Sequence, residues 1–433
     1  MNKSLSYYLN HKYFKQFNWY FLSGMILFGA QFLAMSYISK SNTLGDFSRY
    51  TLILSVCSPI FLLFNANSRI LVATNRQDYR YSTLRSLRIV SLVIAGVIST
   101  VIGLSVIGWS WLLLFLAIAS YRGFDGIYEW SYGFFIHRER ADRVGRSQLL
   151  RSIALIIPMV IGLSGLVDIS IAQFYGGVVG LLVILYLVFD WRLLRRDLLS
   201  VETTIVPTTA TGRDSTDQQK SLRSLIALGA PLGFMALADS LSVNIPKYGF
   251  EYFGLSDTVG IYTSLFVFLQ TMTYLSFSIV NSTLPSLKDY VSRGVTPAVR
   301  NIVKKSNLMM LGFSFCFIVG VFLIGKWLLH TFYTPQIALS ANEFFLFSFC
   351  VIPMKVSLVY SFALFCFNEF NKVLVVSLIT VLLISGLCLV LIPQFSLLGG
   401  ILAFGIGQLV KVTLLFFLYQ RQISLLPLQT IPQ

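Results

Sequence analysis

The apolar residues of this chain are gathered into runs of roughly 18 or more, the length an α-helix needs to cross about 30 Å of hydrocarbon. No other feature constrains the fold as tightly. A segment in lipid must satisfy its own backbone N–H and C=O groups, which excludes open sheets. A membrane barrel would instead show strands of about ten residues with alternating polarity. A soluble protein with a large core can match the average hydropathy, but its apolar runs are shorter and interrupted by polar faces. Only 12% of the 433 residues are charged, against roughly 25% in soluble domains. The expected fold is all-α: a polytopic integral membrane protein of about 12 transmembrane helices.

The spans are placed at 18–39, 47–73, 89–107, 110–136, 148–166 and 169–190, then at 224–246, 258–283, 307–329, 338–367, 373–393 and 396–419. Between the sixth and seventh lies the one long polar stretch, rich in Thr, Gly, Gln and charge, which reads as a flexible cytoplasmic linker. The expected organisation is an N-terminal six-helix half (1–193), a linker (194–222) and a C-terminal six-helix half (223–433). A second segment, 285–305, mixes Leu287, Tyr290 and Ile302 with Lys288, Arg293, Arg300 and Lys304, and reads as an interfacial helix on anionic headgroups.

Charge fixes the orientation. With both termini in the cytoplasm, 25 of the 33 Lys and Arg residues fall in cytoplasmic segments, with Arg151 counted among them. Three lie outside (Lys40, Lys247, Lys326) and five within spans. Bacterial-type membrane proteins hold their Lys and Arg on the cytoplasmic side, so this ratio supports both ends in the cytoplasm and accounts for the net charge of +15 without nucleic acid; the expected location is a bacterial cytoplasmic (inner) membrane. The N-terminal residues lack the pattern of a cleaved signal peptide. The five cysteines lie in apolar segments without CxxC spacing and read as buried thiols. His11, His137 and His330 are scattered near span ends, so no metal site is expected. No GxxxxGK[ST] loop is present, and no cofactor is expected.

The two halves echo each other. Ser41-Asn42-Thr43-Leu44-Gly45-Asp46-Phe47-Ser48 opens span two, and Ser256-Asp257-Thr258-Val259-Gly260-Ile261-Tyr262-Thr263 opens span eight, at an offset of 215 residues. Six helices per half, each half starting inside, implies parallel repeats about an axis normal to the membrane, with the substrate bound between them.

Ionisable groups deep in the bilayer cost at least about 2.5–3.5 kcal/mol, so they face a cavity or a partner. Span four carries Arg122, Asp125 and Glu129 on one helical face, and span ten, its counterpart in the repeat, carries Lys355 at matching depth. Arg49, Arg69, Arg122, Lys247 and Lys355 are the candidate substrate-binding cations, and Asp125, Glu129 and Asp239 the candidate ion-coupling acids. The five cations within spans exceed these three acids, a balance that favours an anionic cargo. Competing readings stand beside these. Arg122 pairs structurally with Asp125 and Glu129, Asp239 pairs with Lys247, and Arg49, Arg69, Lys247 and Lys411 snorkel to the interfaces. Pro158, Pro231 and Pro353 lie inside spans as candidate hinges.

Several segments resemble the polysaccharide (O-antigen type) flippases of the multidrug, oligosaccharidyl-lipid and polysaccharide exporter superfamily. These are Thr43 to Ser48 followed by Ser58-Pro59, then Tyr132-Gly133-Phe134-Phe135 with Arg138 to Arg143, and Val259 to Tyr262 through Asn281 and Leu284-Pro285. The resemblance implies a polyprenyl-diphosphate-linked oligosaccharide, of the kind used for lipopolysaccharide, carried to the periplasmic leaflet by alternating access through a cationic cavity. It implies lipid-linked oligosaccharide and membrane lipids as partners, with a polysaccharide polymerase as a possible further one, and no enzymatic activity. Related lipid II flippases have extra helices that this chain lacks, so a dedicated groove for the lipid tail is not implied. A membrane polymerase or ligase would carry a large external loop, and every external loop here is about a dozen residues or fewer. A cation-coupled drug exporter of the same superfamily would favour intramembrane acids over bases. A major-facilitator transporter would show a Gly-x-x-x-Asp-Arg loop after span two, which is absent.

Overall fold

The computed structural model describes residues 3–65, 81–137, 140–165, 168–195 and 215–425. Its helices are α1 (Lys3–Ser41), α2 (Leu44–Asn65), α3 (Tyr81–Ile107), α4 (Leu112–His137), α5 (Ala141–Leu163) and α6 (Ile171–Arg195), then α7 (Ser215–Tyr252), α8 (Ser256–Ser292), α9 (Thr296–Phe332), α10 (Ala341–Cys366), α11 (Phe370–Phe395) and α12 (Leu397–Leu425). Among the described residues nine of these are long and apolar enough to cross a membrane by length and composition alone. The other three are α4, with its charged face, and α7 and α8, which carry many Ser, Thr and Asn residues. The protein is thus a polytopic all-α membrane protein.

Local chemistry sets the helix boundaries. The Thr43 hydroxyl accepts a hydrogen bond from the Asp46 backbone N–H (3.2 Å) and donates one to its carboxylate (2.7 Å), capping the start of α2. Ser170 and Gln173 form a reciprocal capping box at the start of α6. The α7–α8 and α8–α9 connections turn at Gly254 (φ 74°) and Gly294 (φ 71°), a backbone conformation that costs other residues steric energy.

Two expectations are corrected. The segment 285–305 is not a separate interfacial helix: α8 runs on to Ser292 and α9 starts at Thr296, with Leu287, Val299 and Val303 buried in a core shared with Met310, Val359 and Tyr419. Burying those apolar residues against α10 and α12 removes more apolar surface than lying on headgroups would. Span ten is not one continuous helix. It breaks between Ala341–Ser348 and Val351–Cys366, just ahead of Pro353, whose missing N–H cannot bond the Phe349 carbonyl. That carbonyl instead accepts from the Ile352 N–H at 3.2 Å. Of the expected linker, 196–214 lies outside the described residues, while 215–222 is the first part of α7 and Leu194 is buried at the end of α6.

The chain divides into two compact units, Met1–Met35 with Val56–Ala236, and Ser36–Ser55 with Leu237–Gln433. In the first, α4 packs on α3 and α6, and α5 packs on α6. In the second, α12 packs on α10 and α11, while α8 and α9 pack on α10 and on each other. Val93, Val97 and Val101 form an exposed apolar stripe along α3, as do Leu308, Phe315, Phe322 and Leu323 along α9. On helices long and apolar enough to span a bilayer, stripes of this extent suit contact with lipid tails. Among the cysteines, Cys57, Cys350 and Cys388 are buried, whereas Cys316 sits on the exposed face of α9. All five are free thiols.

Candidate functional site

Each unit holds its own set of charged groups. In the first unit Arg122, Asp125 and Glu129 share a face of α4, as the spacing requires, but their partners come from neighbouring helices. Arg151 of α5 forms an ion pair with Asp125 Oδ1, while Arg122 lies 3.4 Å from Oδ2 of the same carboxylate. Arg151 is therefore not a loop residue. It is 5% exposed, its guanidinium lies 4.6 Å from the centre of the Tyr128 ring, and it hydrogen-bonds the Tyr132 hydroxyl. Tyr132 continues through Ser147 (3.2 Å) to the buried Asp190 carboxylate, to which Ser147 donates at 3.0 Å. Asp190 closes a π-helical turn, Tyr186–Asp190, in α6.

Arg88 is the second cation that the sequence placed in a loop and the structure buries. Its Nε donates to the Gly126 carbonyl and its Nη1 to the Phe64 carbonyl, both at 3.1 Å, and Glu129 is its electrostatic neighbour. Gly126 is needed here, because a Cβ at that position would run into the Arg88 guanidinium. A hydrophilic residue one turn before an apolar run is the only sequence signal for such a residue, and it is shared by ordinary loop arginines.

In the second unit Arg49 of α2 pairs with Glu251 of α7 at 2.5 Å. The pair belongs to a larger clasp. Ser36 and Lys40 bond the Phe332 and Thr331 carbonyls, and Tyr248 donates to the Ser55 carbonyl at 2.5 Å. Ser48 Oγ accepts from the Gly260 N–H at 3.1 Å and donates to the Asp257 carbonyl at 3.2 Å. The two motif copies recognised in the sequence, around Gly45 and Gly260, therefore touch one another.

Asp239 pairs not with Lys247 but with Lys411 of α12, at 2.5 Å, and accepts a bond from Ser377 of α11 at 2.9 Å. Lys411 does not snorkel; it is 7% exposed. Lys247 is buried in α7. Lys355 is 2% exposed, and among the described residues its hydrogen bond is to a neutral group, the Thr273 hydroxyl of α8, at 2.6 Å. Arg69 lies outside the described residues. Asp125, Glu129 and Asp239 thus each face a cation from another helix, and Lys355 faces none among its described contacts. No group of three or more His, Cys, Asp or Glu side chains suited to a metal occurs among the described residues.

The Asp239–Lys411 pair makes an asymmetric prediction. Asp239→Leu strands a buried ammonium, an event that costs about 3–5 kcal/mol in a fully buried pair. Lys411→Met strands a carboxylate that is 47% exposed, and costs less. Thermal unfolding of the purified protein should rank Asp239→Leu below Lys411→Met, with the double variant close to wild type. A double variant as unstable as Asp239→Leu would show that the two charges do not act as a pair.

No family model matches the chain. It is 22% identical over 410 residues to the capsular polysaccharide biosynthesis protein CapF of Staphylococcus aureus, covering 94% of this chain and 99% of that protein. Among solved structures it resembles a multidrug resistance MATE family transporter of the MOP superfamily in its inward-facing conformation, with a TM-score of 0.71, 13% identity, and 93% and 95% of the two chains covered. It also resembles the Vibrio cholerae MATE transporter VcmN, with a TM-score of 0.69, 11% identity and 98% of each chain covered. The chain has the fold of the MOP superfamily transporters, as the resemblance of its motifs implied.

Proposed function

We propose that this protein is a flippase that carries a polyprenyl-diphosphate-linked oligosaccharide from the cytoplasmic to the periplasmic leaflet of the cytoplasmic membrane by alternating access. The carrying observation is Lys355, buried in a membrane-spanning helix with a neutral partner, Thr273. An ammonium in that position is costly unless an anion accompanies it. A diphosphate crossing a low-dielectric slab has the complementary need, so each charge offsets the desolvation of the other. The relation to a capsular polysaccharide biosynthesis protein supports a saccharide headgroup. The excess of Lys and Arg in alternate loops supports cytoplasmic termini. Arg122, one-third exposed on α4, is the second cation assigned to the diphosphate, and Asp239 the acid assigned to ion coupling.

The test is a strain lacking the gene. Single lipid-linked repeat units should accumulate out of reach of an external probe. The same units exposed on the periplasmic face would mean that translocation is intact and the reading is wrong. A second reading, a cation-coupled exporter of small organic cations, draws on the half-exposed Asp239 carboxylate. It predicts unchanged lipid-linked saccharide and increased drug sensitivity in the same strain.

A further inference from the structure

We infer that the start of α9 is a binding site for the headgroup of an anionic phospholipid, whose acyl chains lie along the same face of that helix. The inference is independent of the cargo proposed above. Lys304, Leu308, Leu311, Phe315, Phe322 and Lys326 are exposed and share one face of α9, because spacings of three, four and seven residues return to nearly the same direction. The two lysines stand 22 residues apart, a helical rise of about 33 Å, which matches the hydrocarbon slab of a bilayer. Each lysine therefore stands at headgroup level, with apolar side chains between them. The two ends differ in charge. Of the Lys and Arg residues of α9, Lys326 is alone at its end, whereas Lys304 has Arg300 and Lys305 within about a turn. Lys288 of α8 is exposed near the same end. The acids there are already engaged: Asp289 by Arg293 at 2.9 Å, and Glu369 by Lys372 at 2.7 Å and Gln422 at 2.6 Å. Lys288, Arg300, Lys304 and Lys305 form no ion pair among the described residues. This end also holds a buried donor without an acceptor. The Tyr419 hydroxyl of α12, which has Arg300 as an electrostatic neighbour, makes no hydrogen bond among the described residues. A ligand that answers these features carries negative charge at headgroup depth and apolar chains beside it. A soluble anion needs no apolar face, and a zwitterionic lipid brings no net charge to the cations. An anionic phospholipid supplies both.

The test compares the two ends of the stripe. The full chain is labelled with bimane at Leu308→Cys or at Phe322→Cys and reconstituted in phosphatidylcholine vesicles. It carries Cys316→Ser and Cys366→Ser, because the other three native thiols are buried. Quenching by phosphatidylglycerol bearing a nitroxide near the top of its acyl chain is compared with quenching by the matching phosphatidylcholine. At Leu308, one turn from Lys304, phosphatidylglycerol should be preferred by about tenfold, the effect of three unpaired cations partly screened by salt. At Phe322, one turn from Lys326, the preference should be about threefold at most. Arg300→Gln, Lys304→Gln and Lys305→Gln together should bring the Leu308 value down to that of Phe322. Equal preference at the two positions, with the native cations in place, reports only the general attraction of a chain of net charge +15. That result overturns the site whether or not the triple variant folds. A tenfold preference at Leu308 that survives the triple variant overturns it as well.

Discussion

Replacing Lys355 by methionine is expected to stop transport while leaving the amount of protein in the membrane unchanged. Methionine keeps the length and apolar volume of the lysine stem and removes only the charge. Lys355 is 2% exposed and bonded to the Thr273 hydroxyl, so the change removes a group whose burial opposes folding. Replacing buried charges by apolar groups of similar volume is often neutral or stabilising by about 1–4 kcal/mol. Thr273 then returns its hydroxyl to a backbone carbonyl of its own helix, as membrane-helix threonines commonly do. Stability and function should therefore move in opposite directions. Unfolding temperature should hold or rise, while export of lipid-linked saccharide falls to background. Normal export with a normal protein level would remove Lys355 from the transport path.

The second large effect is expected at Gly260, where Gly260→Val should open the clasp at the Ser41 end of α1. A Cβ on Gly260 would stand 2.5 Å from Ser48 Oγ and 3.0 Å from the Phe47 ring. Both belong to the capped start of α2, so neither can retreat without moving that helix end. Overpacking of this kind costs typically about 1–3 kcal/mol, enough to shift a two-state closure by roughly tenfold or more. The Gly260–Ser48 and Ser48–Asp257 hydrogen bonds would be lost, and the Arg49–Glu251 pair drawn apart. Transport should fall about tenfold with the loss of this packing. A cysteine placed at Ser36, which is buried in the clasp, reports the opening directly. Its labelling by an impermeant maleimide should accelerate by about tenfold. Unchanged labelling together with normal transport would show that Gly260 does not hold the clasp closed.

Much of the fold was legible because membrane insertion is a local, length-dependent property. Each predicted span coincides with one helix, and the helices extend well beyond the spans at the starts of α1, α3 and α5 and at α7, α8 and α9. The motif shared by Thr43–Ser48 and Asp257–Thr263 was legible as well; of its two glycines Gly260 is a point of close approach, while a Cβ at Gly45 would meet only ordinary contacts at 3.9 Å. Arg122, Asp125 and Glu129 lie on one face because helical periodicity alone puts them there. The break in α10 was half legible: Pro353 was visible as a candidate hinge, but a proline can kink a helix or divide it, and the packing around it decides which.

Charge pairing was not legible. Spacing suggested Arg122 with Asp125, which the structure keeps at 3.4 Å while adding Arg151 to the same carboxylate, and Lys247 with Asp239, which the structure instead gives to Lys411, 172 residues away in sequence. Arg88 and Arg151 read as loop cations because each stands beside an apolar run, yet both are buried. The sequence by itself determined the membrane class, the twelve long helices and their approximate positions. Apolar length and helical rise suffice for those. Only the tertiary structure decided which charges face one another and which lysine faces a neutral hydroxyl. A membrane helix is apolar on its lipid face and largely apolar on its packed face, so its pattern carries little record of which side meets a neighbour. That record exists only once the helices have packed.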